Sequence, residues 1–358
     1  MIDYKSKRVL VTGGTGFIGG RLAERLSFEH AADVVILRRD WRRAVWASRL
    51  PARMVEGDVT DPASLARAMD GCQVVFHCAM SDLRTNRDGT RNVLEAAEVA
   101  GVERMVHLST VGVHGPNPPD NADESAPLTS VGDAYGDSKI AAEQVITEFT
   151  RTHRLGVVIL RPTFVWGPRS EGFTLEPIRQ IRAGTWQLVD QGLGSCHAVY
   201  IDNLVDAIVL AGVVPGIDGE AFLVTDDQPC TWADFFMAYA RMLGVTSVPS
   251  IASKKVEAHP LRRLDRALTE VHDALGRRMP SLQPFRLGFR GGRYIIRKVR
   301  RLLGPIPIFR DWDLIKYGRR GRLNITKAKE RLGYSPRIPR AVGMRHVEIW
   351  LRDQNLIP

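Results

Sequence analysis

Tyr135 and Lys139 stand four residues apart in Tyr135-Gly136-Asp137-Ser138-Lys139, one helical turn, so their side chains share a face. An ammonium beside a phenol depresses the phenol pKa, and a phenol poised in this way exchanges a proton with an alcohol or ketone. The spacing by itself is common. Two other segments give it weight: Gly13-Gly14-Thr15-Gly16-Phe17-Ile18-Gly19, far upstream, and Leu108-Ser109-Thr110, where a hydroxyl at a strand end could hold a substrate oxygen.

The glycines follow the apolar run Arg8 to Thr12 and precede the helix-like stretch Arg21 to Phe28. In that context Gly13 permits a tight turn, Gly16 lets the backbone approach a pyrophosphate, and Gly19 lets the helix pack closely. The backbone amides of Thr15, Phe17 and Ile18 then point the positive end of a helix at phosphates. The second strand runs Asp33 to Leu37 into Arg38-Arg39-Asp40, which places Arg38 where a ribose-binding acid is expected. A guanidinium there favours a 2′-phosphate, hence NADP over NAD. The competing reading leaves Arg38 and Arg39 as solvated loop charges, with Asp40 or a backbone group on the ribose. Asp58 and Val59, after another short strand, offer a carboxylate and an adjacent amide for an adenine edge, though Asp58 serves equally as a turn residue.

The chain resembles an extended short-chain dehydrogenase/reductase of the NAD-dependent epimerase/dehydratase superfamily over most of residues 8 to 244. The marks are Thr12 to Gly19, Gly57-Asp58-Val59, His77-Cys78-Ala79-Met80, Asn86 to Thr90, Leu108 to Gly115, Tyr135 to Lys139, and Leu160-Arg161-Pro162 with Trp166-Gly167-Pro168. The resemblance implies a catalytic hydroxyl on Thr110, a general acid/base at Tyr135 with Lys139 as its partner, Ala79 near the nicotinamide and Pro162 at the cofactor's edge. Phe164 and Arg169 are then expected on the substrate side. The implied chemistry is NAD(P)-dependent oxidation, reduction or epimerisation at a secondary alcohol or ketone, with a sugar or nucleotide sugar as first substrate reading.

Three departures bear on that reading. Val111-Gly112 stand where similar dehydratases carry an Asp-Glu pair, which disfavours elimination of water. Phe164 stands where many nucleotide-sugar members place an Asn, and the segment from His77 to Asn86 is short. Tyr200 to Ala207 and Thr225 to Pro229 are similar to the branch of 3β-hydroxysteroid dehydrogenases and dihydroflavonol reductases, so an apolar substrate is the alternative. A non-catalytic NAD(P)-binding sensor or scaffold is the alternative from another class.

Short Val/Ile runs at 34–37, 74–77, 105–108 and 157–160 alternate with helical patterns at 64–69, 89–100 and 138–150. This predicts an α/β fold, a Rossmann-type doubly wound parallel sheet with a smaller C-terminal substrate lobe. The dinucleotide-binding domain is expected mainly over 1–168 and the substrate lobe mainly over 169–358, with some strands and helices returning to the sheet. The family often dimerises through two helices, for which 89–100 and 138–150 are the candidates.

The 358 residues, 44% apolar, suffice for a sizeable core. Cys72, Cys78, Cys196 and Cys230 have neither zinc spacing nor the density of a disulfide framework, so no metal site is expected and a reducing cytoplasm fits. No apolar run reaches the roughly 20 residues of a membrane span, and the polar stretch 3–8 leaves no room for a signal-peptide core. The net charge of +10 is uneven, with no Asp or Glu from Ala274 to Arg310. Within that block, apolar Tyr294, Ile295, Val299, Leu302 and Leu303 at helical spacing among arginines read first as a packed basic amphipathic helix, then as an anionic-substrate site. Peripheral membrane contact through 286–303 ranks third, and nucleic acid is disfavoured because no recognition module accompanies the charge.

Overall fold

The computed structural model describes residues 4–80, 82–257 and 311–358. Short runs, mostly buried except in the edge strand β3, form the strands β1 (Arg8–Thr12), β2 (Asp33–Arg38), β3 (Ala52–Glu56), β4 (Val74–His77), β5 (Arg104–Leu108) and β6 (Gly156–Pro162). Short strands follow: β7 (Phe164–Trp166), β8 (Leu188–Val189), β9 (Ser195–Cys196), β10 (Ala198–Tyr200) and β11 (Ala221–Val224). The main sheet has the order β11-β6-β5-β4-β1-β2-β3, and all its pairs are parallel. The chain begins in the middle, winds outward through β2 and β3, and restarts on the other side of β1 with β4. The resulting crevice at the carboxyl ends of β1 and β4 is where such a sheet takes a ligand. Thr12 and His77, facing each other in register, mark it.

Helices cover the sheet: α1 (Phe17–Phe28), the single turn α2 (Trp41–Ala44), α3 (Pro62–Met69), α4 (Leu83–Val99) and α5 (Ala134–Phe149). One core cluster joins Leu10, Val35, Val75 and Met105 from the strands to Leu65, Val93, Leu94 and Val145 from α3, α4 and α5. Helix α4 begins at Leu83, six residues before the expected Gly89, because Asp82 caps it by accepting from Thr85 N at 2.8 Å. Helix α5 begins at Ala134, with Asp133 as its cap, which puts Tyr135 in the first turn.

The chain divides into two compact units. One comprises Met1–Leu175, His197–Pro229 and Gly321–Pro358, so residues 197–229 and 321–358 return to the sheet after the excursion. The other takes Glu176–Cys196 and the described part of Cys230–Arg320. In that smaller unit Trp186, Trp232 and Phe236 pack with ring centroids 4.5 and 5.7 Å apart. The Arg-rich block 274–310 has its helical pattern, and the sites considered for it, outside the described residues. No helix among the described residues is long and apolar enough to cross a membrane.

Candidate active site

At the end of β1 the main chain turns at Gly13, whose φ of +69° lies in the left-handed region. A Cβ there would stand 2.8 Å from the Cys78 carbonyl and the Ala79 nitrogen, and one on Gly19 would stand 2.5 Å from the Gly13 oxygen. Gly16 N donates to Gly13 O at 2.9 Å, and Gly16 caps α1 without any side chain on its amides. A bare helix N-terminus framed by backbone that tolerates no Cβ fits a dinucleotide diphosphate. Beside it Thr12 Oγ1 accepts from Ala79 N at 3.2 Å, which fixes Ala79 against the turn.

The floor of the site is a string of buried polar groups. Because Thr90 Oγ1 donates to the Asn86 carbonyl at 2.6 Å, His77 Nε2 is the donor to Thr90 at 3.1 Å. In the neutral ring Nδ1 then accepts from Thr12 Oγ1 at 2.8 Å. Asn86 Nδ2 reaches Ser138 Oγ at 2.8 Å, and Ser138 donates to the Tyr135 carbonyl at 2.7 Å. Burial, with help from Lys139, drives the His77 pKa down to about 3, as this neutral tautomer requires. The string ties the glycine turn to the first turns of α4 and α5.

Thr110, just past β5, accepts from Gly112 N at 3.2 Å and hydrogen-bonds the Tyr135 phenol. Lys139 is 4% exposed, and its Nζ donates to the Leu108 carbonyl at 2.7 Å. Desolvation lowers its pKa to about 8. Tyr135 remains 42% exposed, open to a substrate. Its pKa is raised by desolvation, while the Thr110 hydrogen bond pulls the other way. The spacing alone predicts a phenol depressed by Lys139; here the ammonium donates to Leu108, and local desolvation of the phenol sets the direction although the side chain is partly exposed.

Glu143 is a residue that sequence reasoning missed. It is 2% exposed, one turn beyond Lys139, and forms a fork with Arg161 at 3.1 Å (Nε) and 2.7 Å (Nη2). Ser109 Oγ donates to the same carboxylate at 2.5 Å, so that hydroxyl is occupied. Arg161 Nη1 also donates to the Glu124 carbonyl at 3.0 Å and lies 3.3 Å from His114 Nε2. His114 Nδ1 lies 3.3 Å from the Pro127 carbonyl, to which it donates, leaving Nε2 to accept from Arg161. Desolvation and then Arg161 lower the His114 pKa, in keeping with a neutral ring. An acid on the buried face of α5 was the available signal. Among the described residues no cluster of three or more potential metal ligands exists.

Residues 9–222 match the model of the NAD dependent epimerase/dehydratase family. The chain belongs to that family. It is an NAD(P)-dependent enzyme of the extended short-chain dehydrogenase/reductase type. Among curated relatives, a 3-beta-hydroxysteroid dehydrogenase of Mycolicibacterium neoaurum is 28% identical over 331 residues, covering 84% of this chain and 87% of its own. A ketoreductase of Stigmatella aurantiaca, named for a farnesyl dihydroquinoline-oxide substrate, is 31% identical over 249 residues, 66% of this chain and 74% of its own. A UDP-glucose 4-epimerase of Thermotoga maritima shares the fold with a TM-score of 0.70 at 21% identity, covering 97% of this chain and 99% of its own.

Beyond β2, Arg and Trp side chains stack in pairs. Arg38 is 5% exposed, with Cζ 3.4 Å from the Trp41 ring centroid and Nη2 donating to Glu56 at 3.1 Å. Its Nε and Nη1 have no partner, so it is no solvated loop charge, whereas Arg39 is exposed and lies 3.5 Å from Asp58. The Asp58 carboxylate accepts from Thr60 N at 2.9 Å and Thr60 Oγ1 at 2.8 Å, the bonds of a turn residue. Val59 packs beneath Gly89, where a Cβ would come within 2.7 Å. Pro162 ends β6 opposite Val224 of β11, and the Phe164 ring lies 5.0 Å from that of Phe173. Arg169 does not point toward these rings: its Cζ lies 4.2 Å from the Trp46 ring centroid.

Proposed function

We propose that this enzyme interconverts a secondary alcohol and a ketone on a bulky apolar molecule, with NADP preferred over NAD. The Phe164–Phe173 pair carries the substrate reading, because two packed rings where a diphosphate-binding amide would otherwise stand offer an apolar wall and no donor. Curated relatives named for a steroid and for a farnesylated ketone support it. For the cofactor, the support is Arg38: a buried guanidinium with two unpartnered nitrogens, stacked on Trp41, suits a 2′-phosphate.

When bound, the nicotinamide supplies or accepts a hydride. Tyr135 Oη gives its proton to the ketone oxygen in reduction, or removes the hydroxyl proton in oxidation, while Thr110 Oγ1 holds that oxygen. Lys139, anchored by one N–H on the Leu108 carbonyl, keeps two further donors for the cofactor ribose. Val111-Gly112 put no acid beside Thr110 for elimination of water.

A sugar or nucleotide sugar is the second reading, favoured by the family and by the likeness to a UDP-glucose epimerase. One experiment separates the two. The purified chain is given apolar ketones with NADPH and, separately, nucleotide sugars with NADP+ or NAD+, and reduced-nicotinamide absorbance is followed beside product analysis. Steady loss with apolar ketones is the expected result. Interconversion of nucleotide sugars with no net change in absorbance overturns it in favour of an epimerase. We further infer a homodimer through α4 and α5, to be checked by sedimentation.

A further inference from the structure

The geometry points to Arg169 as a clamp on the cofactor's diphosphate, a binding residue on the nucleotide side of the crevice. The inference rests on the dinucleotide reading of the glycine turn and adds a residue from a distant part of the chain.

Three observations carry it. The first is placement. Trp46 donates from Nε1 to the Thr15 carbonyl at 3.3 Å, and its ring fills the space where a Cβ on Gly20 would come within 2.4 Å. Thr15 and Gly20 bracket the uncapped start of α1, so Trp46 lies against the diphosphate cradle. Arg169 stacks on that ring, its Cζ 4.2 Å from the centroid. The indole is therefore a platform that sets a guanidinium beside the helix N-terminus.

The second is backbone strain. Arg169 has φ +70°, a left-handed conformation that a residue with a Cβ adopts at a cost. It follows Gly167 at φ +144° and precedes Ser170, whose N donates to Gly167 O at 3.1 Å and whose Oγ donates to Val165 O at 3.1 Å. These bonds hold the loop in a shape that aims position 169 at Trp46, where a glycine would have been cheaper.

The third is an unneutralised charge. Among the described residues Arg169 has neither a hydrogen-bond nor an ion-pair partner, although it offers five N–H donors. The first turn of α1 contains no acid. A guanidinium and a helix N-terminus together, with Glu24 of α1 attracting Arg169 but not bonded to it, suit a diphosphate that accepts from both. Burial lowers the Arg169 pKa and the attraction of Glu24 only partly offsets it.

The test is calorimetric titration of the full chain and of Arg169→Ala, Arg169→Lys and Arg169→Gly with NADPH, ADP and adenosine. A lost charge-assisted contact weakens binding by about 10- to 100-fold. The expected result is that Arg169→Ala loses this much for NADPH and ADP, with adenosine unchanged, and that Arg169→Lys recovers part of it. Arg169→Gly should lose the same affinity while melting at a higher temperature, because strain is relieved; a residue with a merely structural role would melt lower. Unchanged NADPH and ADP affinities in Arg169→Ala overturn the clamp alone, as does an equal loss for adenosine. A wild-type chain that binds neither NADPH nor ADP overturns the dinucleotide reading itself, and the clamp with it.

Discussion

The turn between β1 and α1 and the segment from Leu108 to Glu143 serve one crevice but are held by different forces. The turn is made by main chain: Gly13 and Gly19 leave no room for a Cβ, and Gly16 N bonds back to Gly13 O. The catalytic segment is held by side chains from far away, with Glu143 bridging Ser109 and Arg161, and Asn86 bridging α4 to Ser138. A site built from backbone needs small residues close together in the chain. A site built from buried polar side chains needs partners that only folding brings near, and each unsatisfied member is costly.

The largest effect is expected at the chemistry itself. Tyr135→Phe removes the proton donor while leaving the turn intact, so turnover should fall by about 10²- to 10⁴-fold. NADPH affinity, measured by titration, should stay within about twofold. Substantial activity in that variant would remove Tyr135 from its role.

Next comes the side-chain scaffold. Glu143→Ala strands the buried Arg161 charge and should cost about 3–5 kcal/mol in urea unfolding. A double variant, Glu143→Leu with Arg161→Met, should recover much of it, because the penalty is the unpaired charge and not the missing contact. If the single variant unfolds like wild type, the contrast between the two regions is wrong.

The glycine turn should respond in the opposite sense. Gly19→Ala forces a Cβ against the Gly13 carbonyl, and overpacking of this kind costs about 1–3 kcal/mol. The loss should appear chiefly as weaker dinucleotide binding by titration. A variant with unchanged NADPH affinity would show that the close approach is not needed.

Acidity sharpens the catalytic side. Lys139 holds its proton below about pH 8, and the raised Tyr135 phenol stays protonated there. In the reductive direction kcat/KM should be level below that value and decline above it, because the ammonium is lost first. A profile flat to pH 10 contradicts this.

The smallest effect concerns His107, whose ring lies 5.3 Å from that of His77 with neither nitrogen hydrogen-bonded. Desolvation, then Lys139 and His77, push its pKa well below normal. A histidine buried neutral binds no proton that its unfolded form binds below pH 6.5, so stability falls as pH drops through that value. His107→Leu should therefore flatten the loss of stability between about pH 6.5 and 4 in urea titrations. It should also be neutral or stabilising near pH 7. A steeper acid loss would mean that the ring makes a contact worth keeping.

Much of the fold was legible because alternating Val/Ile runs and helical periodicity are local signals. Leu83 to Asp88 escaped because that stretch is polar, and its helix depends on the Asp82 cap. Strand β11 read as part of a lobe, since nothing in Ala221 to Val224 announces pairing with β6, a partner about sixty residues upstream. Thr110, Tyr135 and Lys139 were legible as a set through their spacing and family pattern. The cost of burying Lys139 was not, because desolvation is a property of the surroundings.

The amino-acid sequence by itself determined the turn of Gly13 to Gly19, the strand–helix rhythm and the spacing that sets Tyr135 and Lys139 on one helical face, because these depend on residue type and short spacing. Tertiary structure alone decided that Ser109 is engaged by Glu143, that Arg38 is buried on Trp41, and that Arg169 lies on Trp46 instead of beside Phe164. Each of those outcomes is a contact between residues that only packing makes neighbours, and packing sets the desolvation and pairing that give a charge its use.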